Sequence, residues 1–280
     1  MKRLRTLLIA MLLAPLACLA QAAADPGEAL RNLAWQIGPT DGKVGDKATI
    51  KIPDGYAFLD ARNTARFLEL MGNPPPRSDH FAIAPKSLGW FAVFSFDPVG
   101  YVKDDEKIDA DALLASLRES DGPVNKERKR LGMSALYTDG WQVAPHYDTQ
   151  TKRLEWGTRL RTDSNEYVVN YTSRLLGRTG VMSAVLVADP KTLARDTGEF
   201  KTVLRGFDYM SGEKYTEFKS GDKVAAYGLG ALVVGGAAAA AAKSGLLKSL
   251  GKALWLIIAG AGAGAWGLIK SLFGRRKSEA

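Results

Sequence analysis

The sequence predicts an α+β fold, an antiparallel β-meander packed against helices, followed by a C-terminal membrane helical hairpin. Three observations predict it. Residues 135–188 contain successive runs of strand-forming residues separated by turn signals. Capped amphipathic patterns flank those runs as helices. Two uncharged stretches, 224–242 and 253–269, then follow at lengths matched to a bilayer.

Residues 48–52 (ATIKI) alternate as a strand, and Pro53-Asp54-Gly55 turns it. Asp60 is placed to N-cap a helix through about residue 70. Its expected buried face holds Ala61, Ala65, Leu68 and Met71, with Gly72 as the stop. Pro74-Pro75-Pro76 forbids continuation. Residues 81–83 and 88–96 read as strands, the second placing Trp90, Ala92, Phe94 and Phe96 on one side. Asp109 caps a helix through about residue 118, which Asp121-Gly122-Pro123 is predicted to end. The basic cluster 126–130 (KERKR) includes Glu127 and reads as a solvated helix face.

Strands 153–161 and 166–174 are predicted to pair with residue i opposite residue 327 − i, closed by the loop 162–165. Trp156 then faces Tyr171, Thr158 faces Val169, Leu160 faces Tyr167 and Arg161 faces Glu166, which collects the large apolar groups on one side. Residues 181–188 are small or apolar on both faces and predict a central strand. Asp189 and Pro190 read as N-cap and N1 of a helix that buries Leu193, Phe200, Val203, Leu204 and Phe207. Residues 211–223 (SGEKYTEFKSGDK) read as a short polar tether.

Both ends carry membrane signals. Lys2, Arg3 and Arg5, an apolar core over 7–19 and small residues up to Ala24 form the pattern of a secretory signal peptide, residues 1–24. Cys18, the one cysteine, falls inside it, and the preceding Pro15-Leu16-Ala17 departs from a lipoprotein signal. The mature chain is thus expected to hold no disulfide, thiolate catalyst or cysteine metal site. The layout is a domain over 25–210 facing the periplasm, the tether 211–223, an inner-membrane region 224–270 and a basic tail 271–280.

The formal net charge of +8 is uneven. Residues 25–222 hold 27 basic and 29 acidic residues, and eight basic residues with one acid follow. A near-neutral body argues against nucleic acid as a partner. The terminal charge suits membrane lipid instead. Small residues recur at four-residue spacing (Gly260 and Gly264, Ala263 and Gly267, Ala231, Gly235 and Ala239), which suits a packed hairpin or a homo-oligomer.

No GxSxG elbow, HExxH helix, Walker loop or dinucleotide glycine pattern occurs. With only His80 and His146 and no mature cysteine, no metal site and no cofactor are expected. The catalytic candidates are His146 and Asp148, in the predicted loop Pro145-His146-Tyr147-Asp148, with Asp79 and His80 as companions. A competing reading packs Tyr147 and leaves the other two bonded to turn backbone. Trp141, Tyr147 and Arg178 are the ligand-binding candidates, and Trp35, Trp90 and Trp156 could line a groove with Trp141.

The stretches Trp141-Gln142-Val143-Ala144-Pro145-His146-Tyr147-Asp148, Leu154-Glu155-Trp156, Val169-Asn170-Tyr171 and Leu176-Gly177-Arg178-Thr179-Gly180 carry a resemblance. In them the chain resembles the bacterial membrane-anchored proteins of domain of unknown function family 2167. The similarity runs from about Trp35, through Tyr227-Gly228, to Phe273-Gly274-Arg275-Arg276. It implies an envelope membrane protein of unassigned activity and brings no catalytic residues with it. The architecture also resembles small α+β envelope domains of the photosystem-accessory type, at the level of fold only.

The expectation is a membrane-anchored, non-enzymatic envelope protein whose periplasm-facing domain binds a protein or envelope component. One alternative is an envelope hydrolase using carboxylates or His146 and Asp148. Another is an oligomerising or pore-forming Ala/Gly-rich hairpin.

Overall fold

In the computed structural model, residues 26–73 and 75–235 are described. Their elements run α1 (Pro26–Arg31), β1 (Gln36–Ile37), β2 (Thr40–Val44), β3 (Ala48–Ile52), β4 (Tyr56–Leu59), α2 (Ala61–Leu70), β5 (His80–Pro85) and β6 (Phe91–Asp97). There follow α3 (Ala110–Arg130), β7 (Leu136–Asp148), β8 (Arg153–Thr162), β9 (Tyr167–Leu176), β10 (Val181–Ala188), α4 (Leu193–Leu204), β11 (Phe207–Tyr209) and α5 (Leu229–Val233). An eight-stranded antiparallel sheet, β1-β4-β5-β6-β10-β9-β8-β7, forms the middle layer. The predicted meander is its β7–β10 half, and β10 is central as expected.

Both faces of this sheet are covered. On one, a three-stranded sheet (β11-β3-β2) and α4 bury Ile50, Ile52, Phe200, Val203 and Leu204 against Trp90, Phe94, Tyr171 and Leu186. Trp90, Ala92, Phe94 and Phe96 do share that side. On the other, Leu30, Phe67, Leu68 and Met71 of the α1–α2 region cover Ala82, Phe91, Val93 and Val187. α3 and α5 cover the same face further along.

Asp60 caps α2 as predicted, its carboxylate accepting the Asn63 backbone N–H at 2.8 Å. The buried face centres on Thr64, Phe67 and Leu68, not on Ala61 and Ala65. α3 ignores its predicted stop and runs through Gly122-Pro123 to Arg130. Tertiary bonds account for this. Asn125 exchanges two hydrogen bonds with Leu136 backbone, at 2.7 and 2.8 Å, and Asp121 accepts from the Thr138 N–H and hydroxyl, both at 2.8 Å. These side chains satisfy the outward backbone of the edge strand β7, which also blunts it against pairing with other chains. α4 begins later than predicted, after Thr192, with Asp189 closing the preceding turn.

The β8–β9 register differs from the prediction by one residue: Trp156 lies opposite Thr172, Thr158 opposite Asn170 and Leu160 opposite Val168. Trp156 and Tyr171 therefore point to opposite faces, each into its own apolar cluster. Collecting large side chains on one side would set the register only if one face were buried; here both are. The turn decides instead. Asn165 is left-handed at φ 60°, its N–H bonds Thr162 O, and Thr162 pairs Glu166, leaving the three-residue loop Asp163-Ser164-Asn165. Asn165→Ala is expected to cost about 1 kcal/mol in urea unfolding and Asn165→Gly close to nothing.

Residues 211–223 are not a free tether. Arg178 grips Asp222 through two bonds of 2.7 Å, Tyr215 is buried with its hydroxyl on Val102 O, and Tyr101 stacks on Tyr215 at 4.4 Å. The opening of the first apolar run, expected in lipid from Val224, packs on the domain through Leu229, Leu232 and Val233. Apolar side chains here find a protein surface before any bilayer is needed. Among the described residues, no helix is long and apolar enough to cross a membrane. The signal-like segment, residues 236–242, the second apolar run and the basic tail lie outside the described residues.

Candidate functional site

A polar row crosses the helix-covered face of the large sheet. His80 on β5 stands opposite Ser95 on β6, Ser95 opposite Ser183 on β10, and Ser183 opposite Arg174 on β9. At about 4.8 Å per strand the row spans about 14 Å. The next position on that face sets Thr172 between Val185 and Trp156, and the one after pairs Asn170 with Thr158. Strand alternation points all of these side chains the same way. A cavity of about 90 Å³ lies over them. Ser120, Asp121, Val124 and Arg128 of α3 roof it, and Val233 and Gly235 border it. That is room for several waters or one small ligand group.

The electrostatics are unusual for an interior. Arg174 is 6 % exposed and Arg128 2 %. Arg128 Nε donates to Ser134 O at 2.7 Å, but its Nη1 has no acceptor among the described residues, nor do Nε and Nη1 of Arg174. Burial pulls Arg128 down to about 10. It lowers Arg174 too, against the attraction of Asp97 and Tyr227. Arg128 thus remains cationic at neutral pH, and a guanidinium such as that of Arg174 keeps its proton in protein interiors. Burial also lowers His80 against the opposing pull of the Ser78 carbonyl and Asp79, so its ring is neutral at pH 7. Its Nδ1 lies 2.8 Å from Ser78 O, which can only accept, so Nδ1 carries the hydrogen and Nε2 is an acceptor. Asp121 is occupied by Thr138. The cavity thus offers guanidinium and hydroxyl donors with one imidazole acceptor.

The residues singled out from sequence lie elsewhere. His146 and Asp148 are in strand β7, not in a loop, and bond separate partners. Asp148 accepts from Gln150 N, Thr151 N and Thr151 Oγ1 in the adjoining turn. His146 Nε2 approaches Glu155 at 3.5 Å on the opposite face from His80, so the proposed Asp79–His80 company is excluded. Tyr147 donates to Asp104 at 2.8 Å, Trp141 Nε1 to Ala110 O at 3.0 Å, and Arg178 holds Asp222. Trp35 and Trp90 likewise serve the core, bonding Leu30 O and Glu199. Of the tryptophans, Trp156 lines the cavity. Among the described residues, no group of three or more His, Cys, Asp and Glu could hold a metal ion.

Sequence motifs missed Arg174, Arg128, Ser95 and Ser183 because no short spacing links them. The available signal was an arginine and serines inside otherwise apolar strands, SRLL at 173–176 and VMSAV at 181–185.

Sheet and cavity together define an antiparallel, β-rich α+β domain with a small polar cavity between sheet and helix. Residues 36–265 match the family described as "Protein of unknown function (DUF2167)", and the chain belongs to that family. No curated protein matches the chain. It is similar to the solution structure of cyanobacterial PsbP (CyanoP) from Synechocystis sp. PCC 6803, at 11% identity and a TM-score of 0.37, over 61% of this chain and 92% of that one.

Proposed function

We propose that the chain is an exported envelope protein, anchored in the inner membrane, whose periplasm-facing domain binds a small envelope component in the polar cavity. The cavity carries this reading. Buried polar groups left unpaired are costly, so a space of this make-up is better suited to receiving a ligand than to stabilising the fold. The His146–Asp148 form of the hydrolase alternative loses support, because the two side chains bond different partners.

Anchoring rests on sequence: the signal-like start and the 253–269 run with Trp255 and Trp266 near its ends. With Leu229–Val233 docked on the domain, nine uncharged residues, 234–242, remain in the first run, at most about 14 Å even as continuous helix. A single span over 253–269 therefore replaces the hairpin in this proposal, with Arg275-Arg276-Lys277 on the cytoplasmic side. Gly260 and Gly264 leave close self-association through that span open. A green fluorescent reporter fused to the tail is expected to fluoresce, and an alkaline phosphatase fusion to stay inactive. The reverse pattern would restore the hairpin.

For binding, full-length protein purified in mild detergent is expected to release a stoichiometric small molecule on denaturation. Recovering none, while crosslinking in membranes captures a specific protein, would move the function to protein binding.

A further inference from the structure

We infer that the cavity receives an oxyanion, the carboxylate or phosphate group of a small ligand, seated on Arg174 and Arg128. This rests on the binding role proposed above and adds the charge and donor pattern of the ligand.

The argument begins with what the chain does elsewhere. Its other buried charges are matched: Glu155 by Lys201 at 2.9 Å and Asp196 by Arg195 at 2.9 Å. Arg174 and Arg128 are comparably buried, yet among the described residues neither forms an ion pair within 4.0 Å and three of their nitrogens lack any acceptor. Asp97 attracts Arg174 without bonding it, and both oxygens of Asp121 already serve Thr138. Outside the described residues this sequence carries two acids, Asp25 and Glu279.

A guanidinium fork matches the two coplanar oxygens of a carboxylate or phosphate, and such charge-assisted pairs are about twice as strong as neutral ones. Ser183 stands directly opposite Arg174 and adds a hydroxyl donor beside it. A neutral ligand would leave both positive charges uncompensated, and a cation would add to them. Size limits the ligand as well. About 90 Å³ is smaller than the roughly 150 Å³ apolar cavity that accepts benzene. A single acid group with a few further atoms fits. His80, an acceptor at the far end of the row, lies away from the anion position.

The test is thermal unfolding of the full-length protein in mild detergent, at constant ionic strength set with chloride. Sodium phosphate, sodium acetate, phosphatidylglycerol and glycerol are the probes. At a hundredfold excess over Kd, phosphate or acetate is expected to raise Tm by about 5–10 °C, and glycerol not at all. Arg174→Met, of similar length but uncharged, should abolish the shift. Arg128→Met, from the opposite wall, gives the same reading should the first variant not fold. A response to phosphatidylglycerol without one to phosphate would assign the oxyanion to a lipid headgroup. A shift that survives in both variants would overturn the anion site, as would one produced by glycerol alone; the latter leaves the cavity's binding role intact. No shift with any anion means the arginines are solvated by water, and the inference falls.

Discussion

Glu155→Ala is expected to destabilise the domain by about 2–4 kcal/mol, lowering Tm by on the order of 5–15 °C. Glu155 is 7 % exposed and accepts from Ser173 at 2.7 Å, Lys201 at 2.9 Å and Tyr171 at 3.0 Å. Alanine leaves two buried hydroxyls without an acceptor and unties α4 from the sheet. Lys201 and His146 are partly exposed and recover water, which keeps the cost below that of a fully enclosed pair. Burial pushes the Glu155 carboxyl up, but the bonds from Ser173, Lys201 and Tyr171 outweigh it and hold it below its ordinary 4.5. The sign follows. A depressed folded pKa means Glu155 stabilises fully above about pH 4.5 and loses that contribution as pH falls through the lower folded value. Urea unfolding across that window should show a steeper acid loss in the wild type than in Glu155→Gln. Equal slopes would remove Glu155 from the account. His146→Ala, at 3.5 Å from an already satisfied carboxylate, should change stability by less than about 0.5 kcal/mol.

How much of this was legible in the sequence divides along local and non-local physics. The Asp60 cap, the alternation from Trp90 to Phe96 and the Leu193–Phe200–Val203–Leu204 part of the α4 stripe depend on residues a few positions apart, and the structure keeps them, while Phe207, expected on the same helix, falls in β11. The length of α3 depends on Leu136 and Thr138, which lie 11 and 17 residues beyond the side chains that bond them. No helix propensity foresees that. The register error had the larger consequence. With Trp156 beside Tyr171, Thr158 falls opposite Val169 and the polar row on β8 and β9 is scattered between faces. With the true pairing, Thr158, Asn170, Thr172 and Arg174 come together, and the cavity becomes visible. A sheet buried on both sides hides its site in this way, because polar residues inside apolar strands mark neither a surface nor a motif.

Arg178→Ala is expected to loosen residues 212–233 as a unit, raising their amide hydrogen exchange on the order of tenfold or more while β8–β10 keep their protection. Arg178 was expected to meet a ligand; it is instead the clasp of this segment. Its Nε and Nη2 donate to both oxygens of Asp222 at 2.7 Å, its Nη1 reaches Gly212 O at 3.3 Å, and its backbone N–H bonds Glu213 O at 2.8 Å. Glu213 also takes the Thr179 hydroxyl and Lys47. The Arg178 fork holds Asp222 down at about 2, so the clasp stays charged at pH values where ordinary carboxylates are protonated. Arg178→Lys keeps the charge but loses the fork, and should fall between wild type and alanine. The segment ends at Val233 and Gly235, which border the cavity, so its release should also weaken ligand retention without touching Arg174. The competing explanation is apolar: Tyr215, Leu229, Leu232 and Val233 are all buried, and that burial could hold the segment unaided. Leu232→Asp separates the two. If it frees residues 212–233 while Arg178→Ala leaves their exchange unchanged, the ion pair is only an accessory and hydrophobic burial closes this side of the cavity.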